Sequence, residues 1–394
     1  MAGRFTLGIE EEFQLVDRRT LHLSSSIKSV LEKGAPYFEE NIKPELTQST
    51  IELISDICPD IGTARKDLYT LRALMAKLAD EEGLALISAG THPSSSWEDQ
   101  VTTEKERYAE LEEEFQDLIR SNVIFGMHVH VGVEDKELAV KLMNQARTWL
   151  PHLLAISTNS PFWSGRYTGI KSYRSALFKR IPRTGMPGIL TSHHDFDQYV
   201  QALVETGCID NGKKIWWDMR PHPFFSTVEF RICDMPATIE DTLALAALCQ
   251  ALIARLTWSH EHNVDVPVFA RDYLEENKWR AMRYGLDAEA IDFVKLRRLS
   301  MRDSINELLD FVEDVVDDLG SRHEMNYLRA LTASPNGTGA DRQVAVYKQT
   351  GDLQKVVELL VEQTMQGITL DAADLSHEFL KFKMYDKQVG SEQK

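Results

Sequence analysis

The chain is poor in cysteine, in net positive charge and in long uncharged apolar runs. Its four cysteines (Cys58, Cys208, Cys233 and Cys249) are scattered through 394 residues with no C-x-x-C spacing. That pattern argues against a zinc knuckle or a disulfide framework and for a reducing compartment. Against 61 Asp and Glu stand 44 Lys and Arg, a formal net charge of -17. A sequence-independent nucleic-acid binder needs a basic surface, so that class is set aside. Nucleotide binding is not, because Mg²⁺ bridges protein carboxylates to phosphates. No stretch approaches the ~20 uncharged apolar residues that span a bilayer, and the N-terminus lacks a basic region followed by an apolar run. The expectation is a soluble, cytoplasmic protein with no membrane and no nucleic-acid partner. The usual phosphate loops are missing too. Gly165–Ser172 has the wrong spacing for G-x-x-x-x-G-K-[ST], no G-x-G-x-x-G follows a strand, and there is no G-x-S-x-G. Phosphate binding must then come from metals and side chains.

Hydrophobic residues make up 43% of the chain, enough for one large domain or two closely packed ones. Apolar and polar residues alternate over Phe5–Asp17, which predicts a strand with Ile9, Glu11, Phe13 and Leu15 on one face and Glu10, Glu12 and Gln14 on the other. A helix at Ser24–Lys33, a strand at about Thr50–Ser55, an amphipathic helix at Gly62–Glu82 and a buried strand at Leu84–Ala89 follow. An acidic helix over Glu104–Arg120 leads into a strand around Gly126–Gly132, and Lys136–Ile156 is helical with Pro151 forcing a kink or break. Ser157–Ser192 is basic and rich in Gly, Pro and Ser, a long loop of the kind that is functional or disordered; Phe162, Trp163 and Tyr167 favour order. A helix at Asp195–Thr206 and strands at Ile215–Met219 and Ser226–Cys233 come next, and everything from Ile239 onward reads as helical. With no repeat and no linker, strands and helices mix up to about residue 235 and an all-helical portion follows, which is an α+β organisation. Lys381–Lys394 reads as a polar tail.

Four of these strands place polar groups on one alternating face. In Gly126-Met-His-Val-His-Val-Gly132 both His128 and His130 point the same way, which suits a metal or a phosphate-rich ligand. Glu10 and Glu12 share a face, as an ordinary surface strand also allows. Glu52 lies in the apolar run Ile51–Ile54, where an inward carboxylate needs a partner, and Glu45 precedes it. In Thr227–Asp234, Glu229 and Arg231 share a face, either as a simple ion pair or as an acid holding a metal beside an Arg holding a phosphate. A sheet face lined by carboxylates and a His makes chemical sense if hard divalent cations neutralise it; oxygen ligands with an imidazole favour Mg²⁺ or Mn²⁺ over zinc. Such ions, faced by Arg and Lys from a loop, describe a site for ATP phosphates.

At these residues the sequence resembles the glutamate–cysteine ligase type 2 family, the carboxylate–amine ligases of the glutamine synthetase-like superfamily. Five blocks carry the resemblance: Gly8–Val16, Glu45 with Glu52–Ser55, Gly126–Gly132, Ser172–Phe178 and Val228–Arg231. Glu276–Gly285 and Gly337–Gln343 look familial as well. The resemblance implies a curved antiparallel sheet with helices on its convex side, the active site in its concavity and a mostly helical C-terminal part. It implies a single catalytic domain over 1–380, with the sheet in 1–235 and helices in 236–380, and a homodimer is a family-level expectation. It further implies amide formation from a carboxylate and an amine at the expense of ATP, through an acyl phosphate; glutamate and cysteine are the named pair. Glu10, Glu12, Glu52, His128 and Glu229, with Glu45, would be metal ligands. Arg231 would stabilise the transferring phosphoryl group with His130 beside it. Arg174 and Arg166 would hold the carboxylate substrate, and Lys171 and Arg166 would contribute to nucleotide binding. The basic loop would close over the sheet and keep water from the acyl phosphate. Rival expectations are a ligase for a different carboxylate and amine, a metal-dependent hydrolase built on the His-x-His strand, and a nucleotide-binding relative without activity.

Overall fold

The computed structural model describes residues 3–34 and 41–368, so the expected tail lies outside the described residues. Alternation along Leu7–Asp17 (β1) governs the architecture. Its neighbours are Thr50–Ile54 (β3), Leu84–Ile87 (β4) and Met127–Gly132 (β5), and Ile42–Pro44 (β2) pairs with β3. With Met219–Pro221 and Thr227–Phe230 they make a seven-stranded sheet in which Met219–Pro221 lies at one edge, followed by Thr227–Phe230, β5, β1, β3 and β2, while β4 pairs with the far end of β1. Every pairing is antiparallel.

One face of the sheet is hydrocarbon. Ile9, Phe13, Leu15, Met127, Val129 and Val131 are buried there against the helices Ile61–Glu81 and Ile239–Glu261. The odd-numbered Glu11 falls on this face and is wholly buried. Arg72 holds it (Nε to Oε2 at 2.9 Å), Thr242 donates at 2.8 Å, and the charge is thereby matched inside the core. Both helices begin on side-chain caps: Asp60 accepts from the Thr63 amide, and Thr238 with Asp241 forms a capping box. Ile239–Glu261 is long and apolar enough to cross a bilayer by length and composition, yet 89% of its apolar window is buried within the protein. It is the central helix of a hydrophobic cluster running from Phe5 to Leu331.

Several expected elements need correction. The Glu104–Arg120 helix is two, Glu106–Phe115 and Asp117–Arg120, because Gln116 turns to a φ of +50° between them. The break expected at Pro151 falls at Arg147–Trp149, a 3-10 turn; Pro151 sits in the first turn of the next helix, where its missing N–H costs nothing. The chain beyond Ile239 is not all helix: Glu289–Asp292 and Arg297–Ser300 pair as a hairpin. Ser157–Ser192 is ordered, as its aromatic residues favour, but it is not all loop: it holds a Phe162–Trp163/Arg166–Tyr167 hairpin and a Tyr173–Phe178 helix. Asp234 pins it beside the sheet, accepting from the Asn159 amide (2.8 Å), Ser160 Oγ (2.7 Å) and Ser172 Oγ (2.7 Å).

Candidate active site

The opposite face of the sheet carries the even-numbered residues of β1. Antiparallel register sets Glu10 opposite His128, Glu12 opposite Glu52, and Glu229 opposite His130. Four distant pieces of sequence thus meet on the floor of a cavity of about 420 Å³. Glu10, Glu12, Glu45, Glu52, His128, His130, Arg174, Glu229 and Arg231 all line it. Arg166 and Lys171 do not. Arg166 is exposed on the hairpin, and Lys171 is engaged by Asp287 (2.7 Å) and Asp341.

Glu10 is the hub. One carboxylate oxygen meets His128 Nδ1 at 2.8 Å and the other meets His130 Nε2 at 3.3 Å. Ligand atoms of Glu10, Glu52 and His128 lie within 4.8 Å of one another, and so do those of Glu10, His130 and Glu229. Two groups of metal-ligating atoms therefore share Glu10. Glu12 and Glu45 join neither group: Glu12 accepts the Gly126 amide, and Glu45 lies 3.4 Å from the Tyr108 hydroxyl and 3.7 Å from Arg107. His130, expected beside a phosphate, stands instead among the ligating atoms, with Thr227 Oγ1 3.1 Å from its Nδ1.

Charge divides the cavity. Burial, and then the neighbouring carboxylates, push Glu52 well above the ordinary carboxylate range. Burial likewise raises Glu45, and it pushes Glu12 up to about 7 in spite of Arg174. Burial also works to raise Glu10, but hydrogen bonds from His128 and His130 outweigh it and hold the group well below its usual value. Burial together with Arg231 drives His128 down to about 4, so this imidazole is neutral and free to ligate. Clustered, poorly compensated carboxylates with a neutral imidazole are the donor set of a hard divalent cation, and Mg²⁺ or Mn²⁺ fits it.

The other end is cationic. Glu229 is 1% exposed and clamped between Arg220 (Nε to Oε2 at 2.6 Å) and Arg231, which overcome its burial and keep it ionised. Arg220 is further fixed by the carbonyls of Lys213 (3.0 Å) and Ile215. Arg174, 4% exposed, donates to the carbonyls of Ile232 and Arg231 at 3.3 Å each, and its buried Nε has no hydrogen-bond partner among the described residues. Its guanidinium lies where a side chain on residue 126 would be, since a Cβ built on Gly126 falls 2.2 Å from Nη2.

Sequence periodicity missed several lining residues. Arg220 belongs to a strand expected to end at Met219; its signal is the antiparallel return to Thr227–Phe230, which places Arg220 opposite Glu229. His222 and Phe225, stacked at 4.4 Å on the cavity rim, and Arg107, Tyr108 and Asn122 come from turns and helices with no periodic signal.

Comparison with known proteins converges on one group. A model of glutamate–cysteine ligase family 2 matches residues 6–359. A protein of Roseiflexus castenholzii provisionally named glutamate–cysteine ligase 2 is 50% identical, covering 92% of this chain and 96% of its own. One from Sorangium cellulosum with the same provisional name is 49% identical over 93% and 98%. Among solved structures, a glutamate–cysteine ligase from Francisella tularensis in complex with AMP superposes with a TM-score of 0.72 at 13% identity, over 99% of this chain and 94% of that one. A bifunctional glutathione synthetase from Pasteurella multocida gives 0.66 at 15% identity, over 92% of this chain and 52% of that one. These two likenesses show that the chain shares their fold.

Proposed function

The chain belongs to glutamate–cysteine ligase family 2, and from that premise we propose that it is an ATP-dependent carboxylate–amine ligase working through an acyl phosphate, with glutamate and cysteine as the family's named pair. The observation that carries the proposal is the division of the cavity: two groups of ligating atoms share Glu10, and Arg220, Arg231 and Arg174 face them. The repulsion between a carboxylate nucleophile and a triphosphate must be overcome before they react. Metal ions held by Glu10, Glu52, His128, His130 and Glu229 would supply charge neutralisation there, with Glu12 and Glu45 lining the same cavity outside those two groups. Arg231 meets the charge on the transferring phosphoryl group, and Glu229, by holding it, keeps that guanidinium in place. Arg174, whose buried Nε has no partner among the described residues, orients the carboxylate. A carboxylate oxygen bonds to the γ-phosphorus and ADP departs; the amine nitrogen then bonds to the acyl carbon as phosphate leaves. The sheet and the helical part, joined by one core, act as a single catalytic unit in a cytoplasmic enzyme. A homodimer is proposed on family grounds.

The test is ADP release. It should require Mg²⁺, a carboxylic acid and an amine together, with the amide formed in step with ADP. Hydrolysis of an amide without ATP would overturn the proposal in favour of the hydrolase alternative.

A further inference from the structure

A ligase needs a place for its amine, and the residues assigned so far leave one stretch of wall unused. Leu46, Leu111, Ile124 and Phe178 line the cavity from four separate segments: the turn after β2, the Glu106–Phe115 helix, the approach to β5 and the end of the Tyr173–Phe178 helix. Each is half-buried and so still presents hydrocarbon to the cavity, while Leu46, Leu111 and Phe178 pack on a buried cluster of Phe115, Ile119 and Ile181, of which the two isoleucines also reach the cavity wall. The amide oxygen of Asn122, which lines the same cavity, is buried and accepts no hydrogen bond among the described residues. A buried acceptor left unmet costs free energy until a ligand or water offers an N–H or O–H. Hydrocarbon walls with a few placed polar atoms are the usual make-up of a small-molecule recess.

Resting on the ligase function proposed above, we infer that this recess receives the amine substrate, that Asn122 accepts a hydrogen bond from its amino group, and that the amine carries an apolar side group. Its position suits the second half-reaction. The Arg174 guanidinium is 5.8 Å from the Phe178 ring centre, so a carboxylate activated at Arg174 adjoins the recess. The amine nitrogen forms the C–N bond, the C–O bond to phosphate breaks, and one amine proton leaves to the phosphate released. Carboxylates on the cavity floor favour approach of the amine as an ammonium ion, and one of them takes a first proton so that the nitrogen lone pair is available before attack.

The experiment pairs amines that differ in side-group polarity: L-leucine against L-serine, and 3-methylbutylamine against ethanolamine, each with glutamate, ATP and Mg²⁺. In ADP release the apolar member should exceed the polar one in kcat/KM by roughly tenfold or more. Phe178→Ala should bring that ratio towards one, and Asn122→Leu should raise the amine KM while leaving the KM for ATP in place. Calorimetric titration of the same amines into the protein with Mg²⁺ and a non-hydrolysable ATP analogue tests the recess without chemistry. Tighter binding of the apolar amine with no ADP release for any pair would support the recess and remove the ligase function. Equal or inverted preference, or a ratio that Phe178→Ala leaves unchanged, overturns the inference.

Discussion

Replacing Gly126 by alanine should disable the site through Arg174 rather than through the strand. A Cβ at this position falls 2.2 Å from Arg174 Nη2 and 2.7 Å from its Cζ. Unbonded carbon and nitrogen settle at roughly 3.5–4.0 Å, so the guanidinium must retreat by more than about 1 Å. It cannot do so and keep both its carbonyl acceptors, Ile232 and Arg231, each already at 3.3 Å. Misplacing a substrate-positioning group by about 1 Å costs on the order of 100-fold in rate. Losing hydrogen bonds from a charged donor costs the fold about 1–3 kcal/mol. Steady-state ADP release, with the carboxylate substrate varied, should show kcat/KM falling about 100-fold with the KM for ATP little changed. Arg174→Lys, which loses the planar fork without crowding residue 126, should behave alike. Wild-type kcat/KM in Gly126→Ala would refute the reasoning, and so would a loss explained by collapse of the melting temperature alone.

The remaining predictions concern charge. Glu12 has a value of about 7 in the folded protein against an ordinary 4.5, so its contribution to stability is present below 4.5 and lost as pH rises through 7. In EDTA, Glu12→Gln should therefore be more stable than wild type at pH 8, by about 3 kcal/mol if the full difference is realised. The gap should close near pH 5, and denaturant melts at both pH values that show a constant gap would remove the cause. Metal ligation requires the raised carboxyls to ionise, so Mg²⁺ should bind more tightly at pH 8 than at pH 6, with proton release seen in calorimetry in two buffers of different ionisation enthalpy. Arg166→Ala should leave ADP release unchanged, because the residue is exposed on its hairpin and off the cavity. A loss in kcat/KM would bring it back to the site.

The floor of the site was legible in the sequence because strand periodicity has only two outcomes. Once Ile9, Phe13 and Leu15 belong to the core, Glu10 and Glu12 must face the other way, and Glu11 must find an internal partner, which is Arg72. The same parity placed His128, His130, Glu229 and Arg231. Parity does not reach side chains delivered by turns and short helices. Arg166 and Lys171 are basic residues of a Gly-rich segment, as a phosphate binder is, and only the fold shows one in solvent and the other neutralised by Asp287 and Asp341. The familial blocks Glu276–Gly285 and Gly337–Gln343 also turn out to buttress the structure. Lys278 reaches the buried Asp218 at 2.6 Å, and Gln343 meets Asn159 Oδ1 at 2.7 Å. The hairpin at Glu289–Ser300 escaped notice because its strands are four residues each and Ala290 alone among their residues is buried, so neither carries a buried stripe.

Glu229 shows why a metal role cannot be inferred from loss of activity alone. A lone metal-ligating carboxylate could be changed to glutamine with the fold intact, which is what the alternation of Glu229 and Arg231 invites one to expect. In the structure Glu229 is also the counter-charge of two guanidiniums, the buried Arg220 and the partly buried Arg231. Removing one partner of a buried pair leaves the other uncompensated and costs about 3–5 kcal/mol. Glu229→Gln should thus lower stability by that order, and Arg220→Met by a smaller amount because Arg231 still meets the carboxylate. In a double-mutant cycle the two changes should be non-additive, with a coupling of roughly 1–3 kcal/mol in urea unfolding at pH 7. Additive losses would mean that the clamp is not energetically real. If the coupling is found, the metal role of Glu229 must be read from Mg²⁺ affinity under conditions where both proteins remain folded. There, Glu229→Gln should weaken Mg²⁺ binding, whereas Arg220→Met should leave the carboxylate in place and retain it.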